Sequence, residues 1–229
     1  MKLRNLAKIG LVSLALMTTT GCFNQTLKKY PYAYAAFKRQ PSLEEKFGSD
    51  ANFAIVVVDM QDEFTPLIKK KELKKEIPNQ QKVLEAAIEY DIPVLVLEYY
   101  GPSQTIPEIK EKVLEVPRYR FVTKNRDSGF LERDNCSIEG LNPVDWLNTN
   151  NVDSLYFMGI NTDYCVYASA VDAFWYYDFQ IATTTDVIAS YSCYDNCNSV
   201  YGTFDFFAKE GYIGLNHEDF IKYLEENNN

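Results

Sequence analysis

From Phe53 onward the chain alternates short apolar runs with stretches of helical period, and that alternation restricts the fold more than any other feature of the sequence. The runs "FAIVVVDM" (53–60), "IPVLVLEY" (92–99), "RFVTKN" (120–125), "SLYFMGI" (154–160), "FQIATTTDVI" (179–188) and "GYIGLN" (211–216) read as strands. The first, second and fourth are almost continuously apolar, so both of their faces are covered. Between the runs, "QQKVLEAAIEYD" (80–91), "YCVYASAVDAFWYY" (164–177), "CNSVYGTFDFFAKE" (197–210) and "EDFIKYLEEN" (218–227) space their apolar residues three and four apart, as helices do. Strands that alternate with helices give a parallel sheet between two helical layers, a three-layer α/β sandwich with right-handed crossovers. In such sheets ligands bind beyond the carboxyl ends of the strands.

Three chemically useful side chains fall on that rim. Asp59 ends the first strand, Lys124 ends the third, and Cys165 follows the fourth at the start of its helix. A free thiol titrates at about 8.5, and a helix N-terminus with a nearby cation lowers that value. Lys124 supplies the cation and Asp59 a base to collect the proton. Taken singly, each has a structural reading, since a buried cysteine is often an inert apolar residue and a strand-end aspartate a cap. Three at matching strand ends point to nucleophilic chemistry.

The blocks "AIVVVDMQDEF" (54–64), "KNRDSGF" (124–130) and "GINTDYCVYASAVDAF" (159–174) resemble, in order and spacing, the signature blocks of the isochorismatase-like cysteine hydrolases, over about residues 52–215. The family includes nicotinamidases, N-carbamoylsarcosine amidohydrolase and ureidoacrylate hydrolase. The resemblance implies an Asp-Lys-Cys triad at Asp59, Lys124 and Cys165 and a six-stranded parallel sheet of order 3-2-1-4-5-6. It also implies a cis peptide between Ile160 and Asn161, and an oxyanion hole made by the backbone N–H groups of Asn161 and Cys165. The implied activity is hydrolysis of an amide or ureido C–N bond of a small molecule through a thioester, without a cofactor. Isochorismatases that cleave a vinyl ether generally lack the cysteine, so its presence favours C–N hydrolysis. A non-catalytic binding or interaction module on the same fold is the alternative reading.

The chain departs from the family in places. Nicotinamidases hold a metal through an aspartate and histidines near the second strand, whereas this chain has a single histidine, His217, read as a surface residue at a helix start. No metal site is therefore expected. The glycine usual after the cysteine-bearing helix is Asp178 here, a residue that tolerates the left-handed conformation of a helix end. Phe64, Tyr99, Phe130 and Tyr164 lie close enough to the rim to be substrate contacts, and would equally serve as core or dimer contacts. "SCYDNCNS" sets Cys193 and Cys197 four apart, read either as a disulfide in an exported protein or as two free thiols on either side of a turn, with Cys136 left over.

Export is read from the other end of the chain. "MKLRNLAKIGLVSLALMTTTGC" has a basic start, an apolar stretch and small residues, and its end resembles the lipobox at which bacterial lipoproteins are cut before a cysteine that is then lipidated. This divides the chain into a signal peptide (1–21), a tether from the lipidated Cys22 to residue 50, and a hydrolase domain (51–229), giving an exported lipoprotein held at a membrane by its acyl chains and facing the periplasm or exterior. The net charge of −9, with no basic cluster beyond "LIKKKELKK", excludes nucleic acid as a natural partner. A small-molecule substrate and a possible homo-oligomer are the partners expected.

Overall fold

The computed structural model describes residues 40–130, 142–191 and 198–228. Its strands are β1 (Phe53–Val58), β2 (Val94–Tyr99), β3 (Tyr119–Lys124), β4 (Ser154–Ile160), β5 (Gln180–Ala189) and β6 (Tyr212–Gly214). They form one six-stranded sheet in the order β3-β2-β1-β4-β5-β6, with every pairing parallel. Both the architecture and the order implied by the resemblance are thus found. All of β1 and all of β4 are buried, as their unbroken apolar runs required.

The helices are α1 (Leu43–Phe47), α2 (Lys70–Glu89), α3 (Pro107–Glu115), α4 (Pro143–Thr149), α5 (Tyr167–Tyr177), α6 (Asn198–Glu210) and α7 (His217–Asn227). On one side α2 packs against β5, α3 and α7. On the other, Phe206 of α6 meets Tyr167 and Phe174 of α5 edge to face. The helix α2 begins ten residues before the stretch 80–91, because the lysine run and Pro78 conceal its first turns. Pro78 removes one intrahelical hydrogen bond, a loss that a long helix anchored by buried Val83, Leu84 and Ala87 absorbs. The compact unit reaches back to Gln40. Ser42 and Glu45 form a capping box at the start of α1, whose Phe47 packs edge to face on Phe53.

Two backbone features fix the chain at opposite ends of the sheet. Gly159 has φ +120°, and a Cβ there would sit 2.1 Å from the Val58 carbonyl oxygen, so only glycine lets β4 lie against β1 at this point. At the end of α5, Asp178 takes the left-handed conformation (φ 58°, ψ 21°) expected of it and returns the chain into β5. Cys22, Cys136, Cys193 and Cys197 lie outside the described residues, and with them the lipidation and disulfide expectations.

Candidate active site

β1 and β4 are parallel neighbours, but the chain runs from β1 toward β2 and from β4 toward β5, in opposite directions; such a switch point opens a crevice at the carboxyl ends, and the three residues singled out in the sequence meet there. Asp59 follows β1 with φ 47°, a conformation costly for a residue with a side chain. Lys124, the last residue of β3, lies two strands away. Its ammonium passes 4.7 Å from the centroid of the Tyr99 ring at the end of β2 and bonds Asp59 Oδ2 at 2.9 Å. A second bond, to the Arg126 carbonyl at 3.1 Å, fixes its direction. Asp59 and Lys124 are 2% and 3% exposed, so this is a buried ion pair. Cys165 is carried by a wide turn, Thr162–Val166, that precedes α5. The peptide between Ile160 and Asn161 is cis. The carbonyl of Asn161 accepts from the Tyr164 and Val166 N–H groups, which holds the turn closed.

Charge and burial compete at the thiol. Burial pushes the Cys165 thiol well up, the Asp59 charge pushes it further, Lys124 pulls it down, and Asp127 adds to the rise. The expectation of a lowered thiol is overturned: the turn removes the sulfur from water, and Lys124 spends its charge on Asp59. Asp59 is itself raised by burial, against the opposing pull of Lys124 and of the thiol as a hydrogen-bond neighbour. Its Oδ1 is buried and accepts no other hydrogen bond among the described residues. A neutral thiol beside a carboxylate of raised proton affinity is a pair between which a proton can move.

Of the four aromatic candidates, three stay near the rim. Phe64 meets Tyr99 edge to face at 6.0 Å, and Tyr164 stacks on Tyr191 with ring centroids 5.9 Å apart. Of its two readings Phe130 takes that of a core residue: it is 1% exposed and packs against Phe157 and Phe179, so its ring serves the interior. His217 is corrected. It is 4% exposed, and its Nδ1 lies 2.7 Å from Asp186 Oδ2 in a buried cluster on the α2 side. Among the described residues no group of three His, Cys, Asp or Glu side chains is arranged to hold a metal ion.

Three contributors escaped the sequence reading. Asp127 reaches the thiol, with Oδ1 3.8 Å from Sγ. Gln61 is fully buried and bonds Tyr99 N, Tyr99 O and Ser103 O, clamping the exit of β1 to that of β2. Ser169 of α5 receives the Gly129 N–H and donates to the Asp127 carbonyl, fastening the 124–130 loop over the cysteine. Asp127 and Gly129 stand inside the block "KNRDSGF", and Gln61 two residues after Asp59, so nearness along the chain was the available signal.

The family model described as the isochorismatase domain matches residues 53–199, which hold the whole rim. The chain belongs to the isochorismatase family. No curated relative matches it in sequence. Among solved structures this isochorismatase-family chain is similar to a ribonuclease from Caenorhabditis elegans, at 22% identity and TM-score 0.61, over 76% of this chain and 81% of that one. It is also similar to N-carbamoylsarcosine amidase from Thermoplasma acidophilum, at 22% identity and TM-score 0.54, over 73% and 98% of the two chains. An octameric hydrolase of unknown specificity from Escherichia coli is 16% identical, with TM-score 0.60 over 76% and 80%. At these identities the likenesses show the fold, that of isochorismatase-like hydrolases.

Proposed function

We propose that the protein is a cysteine hydrolase cleaving an amide or ureido C–N bond of a small molecule, with Cys165 as nucleophile, Asp59 as proton carrier and Lys124 as the cation that holds Asp59 in place. The observation that carries this reading is the buried Lys124–Asp59 pair facing a thiol at the sheet's switch point. Asp59 takes the thiol proton as the sulfur attacks the substrate carbonyl, and the carbonyl oxygen becomes an oxyanion received by the N–H groups of Asn161 and Cys165. The C–N bond then breaks, and Asp59 returns the proton to the departing ammonia or amine. Water, deprotonated by Asp59, attacks the thioester; the acid leaves and the thiol is restored. Lys124 keeps Asp59 charged enough to accept a proton, and burial keeps it basic enough to want one. This chemistry asks for no cofactor. A screen for ammonia release from primary amides and ureides tests it: turnover that disappears in Cys165→Ala supports the proposal, and binding without turnover by the unaltered chain supports the non-catalytic module instead.

We propose further that the chain is exported and anchored through lipidated Cys22, on the strength of its first 22 residues. Mass spectrometry of the mature N-terminus checks this, since an acylated Cys22 supports it and an intact Met1 refutes it. The octameric relative makes a homo-oligomer a reasonable companion proposal, which light scattering of the purified chain tests.

A further inference from the structure

We infer that Asp127 selects the substrate, and that the hydrolase takes amides or ureides carrying a positive charge next to the scissile carbonyl. This rests on the reading of Cys165 as nucleophile. Asp127 Oδ1 lies 3.8 Å from the sulfur, so any molecule whose carbonyl carbon approaches Sγ also approaches this carboxylate.

Among the described residues nothing bonded to the carboxylate explains its position. Its one side-chain hydrogen bond among the described residues is to the thiol, a weak donor. The backbone beneath it is nevertheless held firmly. Lys124 bonds the carbonyl of Arg126, Ser169 bonds the carbonyl of Asp127 and the N–H of Gly129, and Phe130 is locked in the core. An exposed carboxylate on a fixed loop is a preorganised recognition group.

Charge and hydrogen-bonding capacity around the thiol agree on what is recognised. Two carboxylates and one ammonium act on the sulfur, and the ammonium is already bonded to Asp59 Oδ2 and the Arg126 carbonyl. The balance left for a ligand is negative. Two further oxygens of this region are buried: Asn161 Oδ1 accepts no hydrogen bond among the described residues, and Asp59 Oδ1 has only the thiol as a neighbour. Unfilled acceptors call for N–H donors on the ligand. Beside them stand Tyr164 and Tyr191, stacked and 44% and 41% exposed, with Tyr191 within reach of the Asp127 charge. An aromatic face next to a carboxylate suits a flat cation such as an amidinium, a guanidinium or an alkylammonium. Such a ligand also assists the chemistry. Asp127 opposes ionisation of the thiol in the free protein, and a bound cation cancels that opposition, so the nucleophile is released only when the right charge is present.

The test uses matched methanethiosulfonate reagents with aminoethyl, methyl and sulfonatoethyl arms. Their rates of modification of Cys165 in the purified chain are read by peptide mass spectrometry and divided by the rates for the urea-unfolded chain. The expected order is cationic, neutral, anionic, with about tenfold or more between the extremes. Asp127→Asn brings that ratio to about one, and Asp127→Glu preserves the order. A flat order in the unaltered chain, or one that Asp127→Asn leaves in place, overturns the inference. A parallel panel of primary amides, matched except for charge, separates the two readings. Turnover without preference for the cation sinks the selection by Asp127 and leaves the hydrolase standing. A charge order in the labelling with no turnover of any amide keeps the selection and removes the hydrolase.

Discussion

The molecule gathers charged and polar side chains into its interior in two places. At the rim, Lys124 and Asp59 sit beside a thiol and an exposed carboxylate, in a crevice that the strand order creates. On the α2 side, Asp186 lies in the irregular stretch of β5 and engages both the ring and the backbone N–H of His217, together with Thr184 and Asn79. Glu76 of α2 shares that neighbourhood, and burial with the charges of Glu72 and Asp186 raises its carboxyl to about 8, with Lys75 opposing. Both clusters are buried and both shift pKa values. Both also leave buried polar atoms without partners among the described residues, Glu76 Oε2, Gln80 Oε1 and His217 Nε2 in the one and Asn161 Oδ1 in the other. The difference is what stands beside them: the Asp186 cluster joins β5 to α2 and α7, while the rim holds a thiol. A buried pair by itself is thus poor evidence of a site. Position at the switch point and a thiol beside the pair make the distinction.

The first way to break this comparison has the largest expected effect. Cys165→Ala should lower kcat/KM by at least about a thousandfold while shifting Tm by no more than a few degrees, because a small side chain at a crevice leaves little cavity. Paired turnover and thermal-melt measurements check it, and a large loss of Tm would make Cys165 a packing residue. Next, Lys124→Met leaves a buried carboxylate unpaired. It should cost about 3–5 kcal/mol of stability and at least about a hundredfold in kcat, measured by urea unfolding and steady-state kinetics. Third, His217→Gln should destabilise by about 1–3 kcal/mol, by loss of the bond to Asp186, yet leave kcat/KM of the folded fraction within about twofold. A hundredfold loss there would erase the distinction between the two clusters.

How much of this was legible in the sequence follows the same division. β1 and β4 were readable because they are buried on both faces and so are unbroken in apolar residues. Asp59, Lys124 and Cys165 were readable because strand ends in a parallel sheet share one rim. The helices α3 and α4 were hidden, since each is short and starts at a proline that reads as a loop. His217 was misplaced for a different reason: its partner Asp186 is 31 residues away, and no local period announces a pairing across β5 and α7. Phe130 stayed open between pocket and core, because nearness to Lys124 in sequence does not say which way the loop turns the ring. Asp127 escaped because its importance is a distance to sulfur, which no pattern of residue types encodes.

A further effect, spread over several pH units, concerns the α2 side. Glu76 holds a proton more tightly folded than unfolded, so the stability contributed by its protonated form is complete below its ordinary value of 4.5 and is lost as pH rises through about 8. Between those limits it adds at most about 1.4 kcal/mol of decline per pH unit. In Glu76→Gln that share of the slope should vanish, which urea unfolding across pH 5–9 detects. An unchanged slope would mean that Glu76 gains water or a partner when it ionises.

The central claim is that Cys165 carries the acyl group of an amide substrate, and rapid acid quench followed by intact-mass and peptide mass spectrometry tests it most directly. For a substrate found by ammonia release, an acyl adduct should appear on the peptide that bears Cys165, formed before steady state and discharged by water, and absent in Cys165→Ala. Steady turnover by Cys165→Ala at the rate of the unaltered chain, with no adduct at any quench time, would contradict it.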